Sequence, residues 1–236
     1  MRLDTYLSEN GYFESRNRAL EAIKSGKVTV DGKIGKPSTP CNENTNVIVE
    51  NEKFFVSRAG RKLDAFLSDY NIDMHGKKAL DIGSSTGGFA QILLEQGVAS
   101  LSCVDVGKDQ LHSVIKNDER VTVREECDIR AFDGDGFGVV SCDVSFISVL
   151  EIINEIDRLS IGDIVILYKP QFEVGRLAKR DSKGVVVDID AIRFAREKFE
   201  LSCANLGWSL LRNEASKLEG KEGNLEYFYH YSKSVN

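Results

Sequence analysis

"KALDIGSSTGGFAQILLEQG", residues 78–97, decides the architecture. An apolar run ends in Asp81, three glycines follow at 83, 87 and 88 with only small hydroxyl residues between, and an amphipathic stretch begins at once. A strand that ends in an acid, turns on glycines and enters a helix is the opening of a doubly wound α/β sheet. The spacing is Gly-x-x-x-Gly-Gly, not the Gly-x-Gly-x-x-Gly of dinucleotide sites, which argues against NAD. Missing side chains let a flat or zwitterionic ligand lie against backbone, and the following helix offers free N–H groups to a carboxylate.

Outward from this stretch the rhythm is strand, helix, strand. "SLSCVDVG", "VTVREECD", "VVSCDVSF" and "DIVILYKP" are apolar runs separated by helix-patterned segments. Such alternation predicts a parallel sheet with helices on both faces. The tail breaks the rule: "WSLLRNEAS" and "NLEYFYHYS" are joined only by "KLEGKEG", too short for a crossover helix, so an antiparallel hairpin is expected. Asp105 is expected to end the second strand, about twenty residues past the turn, where an acid can hold ribose hydroxyls. Asp128 is expected to end the third, near an adenine amine. A helical stripe of Leu63, Phe66, Leu67 and Tyr70 precedes the sheet.

The first sixty residues read as a separate α+β unit. Leu3 and Leu7 lie on one face of a short helix; Ser15 precedes a second, which Gly26 stops; Asp31-Gly32 is a hairpin turn. "NEKFFVS", residues 51–57, reads as a last strand and joint, so the boundary is expected at 57/58. The net charge is −6, but residues 1–62 hold eleven Lys or Arg against eight Asp or Glu, a net +3 that leaves −9 for the remainder. Charge asymmetry of this kind points to a nucleic-acid surface in the first part. The five scattered cysteines predict reduced, half-buried thiols and a cytoplasmic protein; with three histidines and no close cysteine pair, no metal is expected. No apolar run approaches membrane-spanning length, and no signal peptide is expected at the N-terminus.

"RLD", "SRNRA", "IKSGKVTVDG" and "KP" in register resemble the S4 RNA-binding module over residues 2–50. The resemblance implies that Arg2, Arg16, Arg18, Lys24, Lys27 and Lys36 face a structured RNA. The glycine turn, the acids and the terminal hairpin look like a class I (Rossmann-like) S-adenosylmethionine-dependent methyltransferase. That implies a mostly parallel seven-stranded sheet over 58–236, behind an S4-like domain over 1–57. The cofactor-binding residues are then Asp81, Gly83, Ser84, Ser85, Thr86, Gly87, Gly88, Asp105, Val106 and Asp128.

Deprotonating a hydroxyl beside an activated methyl donor asks for a lysine whose charge is disfavoured by burial or neighbours. Lys169 ends an apolar strand that Pro170 stops; Asp143 ends another on the same edge; Glu226 begins the antiparallel strand there; Lys62 opens the preceding helix. This Lys–Asp–Lys–Glu set resembles the catalytic pattern of FtsJ-like ribose 2′-O-methyltransferases. With "SRAGRKL", "VDVG", "DVSFIS", "KPQFE", "KGVVVD" and "GNLEYF", the chain is similar to the TlyA family of "hemolysin A" ribosomal RNA methyltransferases along its length. The resemblance implies Lys62, Asp143, Lys169 and Glu226 as catalytic, and a cytidine of ribosomal RNA as target. The chain's length resembles the shorter family form, which implies large-subunit 23S RNA. "VGRLAKRDSKGVVVD", with Arg176, Lys179, Arg180 and Lys183, is read as a mobile RNA clamp, and Arg58 and Arg61 in the joint as further RNA contacts. Two other readings are a non-catalytic RNA-binding scaffold and a membrane-active hemolysin; the second needs an amphipathic or spanning segment, and the helices pattern instead as sheet-covering elements.

Overall fold

The computed structural model describes residues 1–10, 12–13, 15–42, 45–50, 53, 55–220 and 222–233. They fall into two compact units, Met1–Phe54 and Phe55–Asn236. The division lies three residues before the boundary expected from sequence.

In the first unit α1 (Leu3–Glu9) and α2 (Arg16–Lys24) cover a three-stranded antiparallel sheet of β1 (Val28–Val30), β2 (Lys33–Ile34) and β3 (Val47–Val49), in the order β2-β1-β3. Ser15 caps α2 by accepting from the Arg18 amide at 3.3 Å. Asp31 and Gly32, at φ +48° and +77°, supply the two left-handed residues that a tight hairpin turn requires. Leu3, Leu7, Ala19, Ile23 and Val28 close the core. Asp4 is fully buried among them, its carboxylate held by Arg2 (3.0 Å) and Arg16 (2.8 Å). Two of the arginines expected to face RNA are therefore committed to an internal carboxylate, although both side chains remain about half exposed. Of the last strand expected within 51–57, Lys53 and residues 55–57 are not in a strand, while residues 51, 52 and 54 lie outside those described.

The second unit begins with α3 (Arg58–Leu67). It continues as β4 (Lys78–Ile82), α4 (Gly88–Glu95), β5 (Ser100–Val104), α5 (Ser113–Lys116), β6 (Val121–Arg124), β7 (Phe137–Cys142) and α6 (Ile153–Leu159). Then come β8 (Ser160–Tyr168), α7 (Pro170–Glu173), α8 (Ile189–Asn205), β9 (Ser209–Ala215) and β10 (Tyr227–Ser232). The sheet order is β6-β5-β4-β7-β8-β10-β9; the first five strands are mutually parallel, and β10 runs antiparallel between β8 and β9. This is the mostly parallel sheet with a terminal hairpin that the sequence predicts.

Alternation along each strand builds a layer on either face. Ala79, Val139, Val165 and Phe228 meet Leu63 and Phe66 of α3 and Phe89 and Leu93 of α4. Their neighbours Leu80, Val140, Ile164 and Tyr229 meet Ile156 of α6 and Phe199 of α8. Phe66 stacks on Phe228 at 4.6 Å between centroids. Four cysteines are buried outright and not half-buried as expected; only Cys127 is partly exposed, and all five are free thiols.

The strand order reverses at β4, which lies between β5 and β7, so loops after β4, β5 and β7 diverge and leave a crevice at their carboxyl ends. Lys62 is the fifth residue of α3, not its first, and the helix belongs to this unit.

Candidate active site

The turn after β4 is built for close approach. Gly83 has φ +78°, and a Cβ there would come within 2.9 Å of the Asp143 carbonyl oxygen. The amides of Gly83 and Ser84 both donate to the Val104 carbonyl (2.9 and 3.2 Å), and Gly87 N donates to Ser84 O at 2.7 Å. Gly87, at φ +90°, caps α4. Gly88 serves packing: its missing Cβ would lie 2.7 Å from Gly60 N, so α3 and α4 touch backbone to backbone.

Two cavities share Gly83, Ser85, Asp143 and Ser145. The larger, about 550 Å³, lies between the loops after β4, β5, β6 and β7 and is lined by Val104–Gly107, Cys127–Arg130 and Val144–Ile147. Asp105 follows β5 directly, and its carboxylate accepts from the amides of Ser85 (2.8 Å) and Gly107 (2.7 Å), bracing both loops at the cavity wall. Val106 lines the same cavity.

Asp128 does not end a strand. β6 stops at Arg124, and Asp128 caps a 3-10 turn four residues later, accepting from Arg130 N at 2.9 Å. The Arg130 guanidinium, hydrogen-bonded to Asp128, holds its carboxyl down at about 2. The chain departs from the sheet here because Glu125 turns back to accept from the amides of Asp109, Gln110 and Leu111 (2.8–3.1 Å) and Glu126 takes φ +53°. Sequence reasoning gave Glu125 no role; nothing in its local pattern marks it.

The smaller cavity, about 330 Å³, is lined by Ser57, Arg58 and Ala59 of the α3 start, by Asp81, Gly83, Ser84, Ser85, Thr86, Gly88 and Phe89, and by Asp143, Ser145 and Lys169. Gly87 lines neither cavity. Asp81 is fully buried; Oδ1 accepts from Ser141 Oγ at 2.7 Å, while Oδ2 has no hydrogen-bond partner among the described residues. Burial pushes the Asp81 carboxyl up to about 7, the Ser141 hydrogen bond opposing.

The four charged candidates form two ion pairs. Lys169 Nζ is 2.7 Å from Asp143 Oδ1 and donates to Ser145 Oγ at 2.8 Å. Lys62 Nζ donates to Glu226 Oε2 at 2.6 Å. Gln171, two residues beyond Lys169, donates to Glu226 Oε1 at 3.0 Å and so links the second pair to the strand end that carries the first. Lys62, Lys169 and Glu226 are each less than 10% exposed. Sequence reasoning passed over Gln171, Ser145 and also Glu173. The last accepts from Ser148 Oγ (2.6 Å) and Val149 N (2.8 Å), holding the loop that bears Asp143 and Ser145.

Of the other basic candidates, Arg58 also lines the smaller cavity. Arg58 donates to the Glu219 carbonyl (2.9 Å), the Arg61 guanidinium stands 5.7 Å from the Phe55 ring, and Arg18 is 3.6 Å from Glu21. Lys24, Lys36 and Arg176 are exposed, and Lys27 half-buried. Within the 174–188 segment, Arg180 and Val186 form an antiparallel bridge. Among the described residues no group of His, Cys, Asp or Glu could hold a metal ion, and no helix is long and apolar enough to cross a membrane.

A parallel sheet closed by an antiparallel hairpin, with a divided cavity over its glycine turn, defines a methyltransferase domain of the class I fold. A structure from Mesorhizobium loti described as an S-adenosylmethionine-dependent methyltransferase shares that fold (TM-score 0.52, 11% identity, 73% of this chain and 98% of that one). The chain belongs to the FtsJ-like methyltransferase family, whose model matches residues 55–233, and within it to the TlyA group, with an S4 domain matching residues 1–47. The 23S rRNA (cytidine-2′-O)-methyltransferase TlyA of Campylobacter jejuni is 41% identical, over 99% of this chain and all of that one. The 16S/23S rRNA (cytidine-2′-O)-methyltransferase TlyA of Mycobacterium tuberculosis is 37% identical, over 96% and 88%. A solved structure from Streptococcus thermophilus aligns over 100% of this chain and 89% of its own, with 30% identity and a TM-score of 0.72.

Proposed function

We propose that this chain moves the methyl group of S-adenosylmethionine to the ribose 2′-hydroxyl of a cytidine in ribosomal RNA of the large subunit. The observation that carries the reading is the pairing of buried Lys169 with half-buried Asp143 at a cavity lined by the glycine turn.

The residues suit that cofactor. The unpartnered, buried Asp81 Oδ2 is an acceptor for an α-ammonium, the glycine turn leaves room for a chain against backbone, and the larger cavity offers Asp105 to ribose hydroxyls and Val106, Ile129 and Ile147 to a base. Ser84, Ser85, Thr86, Gly87 and Gly88 shape the turn, and Asp128 with Arg130 forms the far wall. When bound, the cofactor supplies a methyl group already activated by sulfonium charge.

The protein's part is to position the hydroxyl and take its proton. Lys169 in its neutral form accepts the 2′-proton at Nζ, and Asp143 stabilises the resulting ammonium; the oxygen keeps the electron pair that forms the new bond. Ser145 orients Nζ. The Lys62–Glu226 pair fixes the neighbouring charge, and Gln171 keeps Glu226 in place. Phosphate contacts fall to the N-terminal module through Arg2, Arg16, Arg18, Lys24, Lys27 and Lys36, and to Arg58, Arg61, Arg176 and Arg180; such contacts supply affinity and register. The Campylobacter relative's name supports the large-subunit choice.

The test is incubation of purified ribosomal subunits with methyl-labelled S-adenosylmethionine and mapping of the modified nucleotide. Label on a cytidine ribose of large-subunit RNA, absent with Lys169→Ala, is expected. Label on a base, or in small-subunit RNA alone, would overturn the assignment, and no label at all would leave an RNA-binding scaffold.

A further inference from the structure

Segment 174–188, between α7 and α8, carries Arg176, Lys179, Arg180 and Lys183 within eight residues. Its stretch from Lys179 to Val187 is braced. Arg180 donates to Gln171 O (2.9 Å) and Gly184 O (3.3 Å), and Asp181 Oδ1 accepts from the amides of Lys183 (2.8 Å) and Val185 (2.9 Å). Val187 N donates to Lys179 O at 3.0 Å. The returning arm is pinned by the buried bond from Val186 N to Asn224 Oδ1 at 3.0 Å.

The two anchors sit beside the ion pairs. Gln171 lies two residues past Lys169 and bonds Glu226; Asn224 lies two residues before Glu226. A single exposed leucine normally needs no explanation. Leu177 is different in its setting: it is 100% exposed, next to Arg176, two residues from Lys179 and three before Arg180, whose guanidinium donates to the Gln171 carbonyl. Val187 and Ile189, on the returning arm and the start of α8, are also largely exposed.

Lys169 is 8% exposed and lines the smaller cavity, so a 2′-hydroxyl must enter that cavity to reach Nζ, as a nucleotide drawn out of its base stack can do. Unstacking is costly, and proteins that unstack nucleic acid commonly fill the gap with an apolar side chain while cations grip the flanking phosphates. We propose that Leu177 is such a wedge: it enters the stack beside the target nucleotide, with Arg176 and Lys179 on the adjoining phosphates. The inference rests on the RNA-methylating reading above and adds a positioning residue to it.

The test uses the full-length protein with Leu177→Ala, Leu177→Asp and Leu177→Phe, measuring kcat/KM on purified large subunits and S-adenosylmethionine affinity by calorimetry. Because Leu177 is fully exposed, none of these substitutions disturbs the core. Leu177→Ala is expected to lower kcat/KM roughly tenfold and Leu177→Asp further, while Leu177→Phe, which also stacks, stays near wild type. Cofactor affinity should be unchanged throughout. Wild-type rates for the Ala and Asp variants would overturn the wedge. So would a Phe variant as poor as Asp, the result expected of a protein pocket fitted to leucine, and so would parallel loss of cofactor binding. If the wild-type protein itself places no label on ribose, the methylation reading has failed; if it does and the variants match it, only the wedge has.

Discussion

Lys62 of α3 and Glu226 at the foot of β10 meet at 2.6 Å although 164 positions separate them in the chain. Both are buried, so each neutralises a charge that water does not. Glu226→Ala should strip the partner from a buried ammonium and cost about 3–5 kcal/mol, whereas the apolar pair Lys62→Met with Glu226→Leu should recover most of that. Urea midpoints compare the three proteins; equal midpoints for the single and double variants would mean the pair is not buried in solution. Both should be inactive, which separates the role in stability from the one in chemistry.

Lys169→Ala should lower kcat by about 10²–10⁴-fold, the range of a lost general base, with cofactor affinity changed little. Single-turnover methylation and calorimetry measure the two quantities separately. Loss of cofactor binding to the same degree would assign Lys169 to the cradle instead.

Burial raises the Asp81 carboxyl to about 7. Its protonated form is favoured in the fold, so this group's contribution to stability is complete below its ordinary value and is lost as pH rises through about 7. Ionised Asp81 is the form that accepts an ammonium, so S-adenosylmethionine affinity should increase between about pH 6 and pH 8. Asp81→Asn should bind more weakly and with a flatter pH dependence; calorimetry across that range decides, and an unchanged slope in the variant would remove Asp81 from the site.

Gly83→Ala places a Cβ 2.9 Å from the Asp143 carbonyl at a φ of +78°. Backbone cannot yield as a side chain can, so the turn must open away from β7. Cofactor binding should fall at least about tenfold, with the melting temperature lowered by a few degrees. The Asp143 side chain moves with its carbonyl, so methylation should fall further than binding does.

Hydrogen bonds from Arg2, then from Arg16, hold the Asp4 carboxyl at about 2, against its burial. A depressed carboxyl stabilises above its ordinary value, and the contribution fades as pH falls from about 4 toward 2. Asp4→Asn should destabilise the N-terminal unit by about 2 kcal/mol and free both arginines. Hydrogen exchange over residues 3–24 would report it, and unchanged protection would make the contact incidental.

Much of the architecture is legible in short windows. A strand that needs both faces buried is apolar throughout, a strand that turns on glycines shows them, and a seven-residue link cannot hold a crossover helix. Those constraints are local, and the parallel sheet, the glycine turn and the terminal hairpin follow from them. Asp128 lies beyond the strand because a tertiary contact redirects the chain first: the Glu125 carboxylate accepts from amides of the 109–111 loop, and β6 stops at Arg124. The strand expected within 51–57 fails at its described positions for a related reason. Val56 N donates to Gln91 Oε1 of α4, not to a neighbouring strand.

The amino-acid order alone determined which residues would be apolar on which face, where the chain would turn, and which charged residues, Asp128 excepted, would stand at strand ends. It could not determine their partners. That Lys169 pairs with Asp143 and Lys62 with Glu226, with Gln171 between, was decided by the order β4-β7-β8-β10, which brings distant strand ends to one edge. Charge pairing inside a protein depends on distance in space and on exclusion of water, and neither is a property of position along the chain.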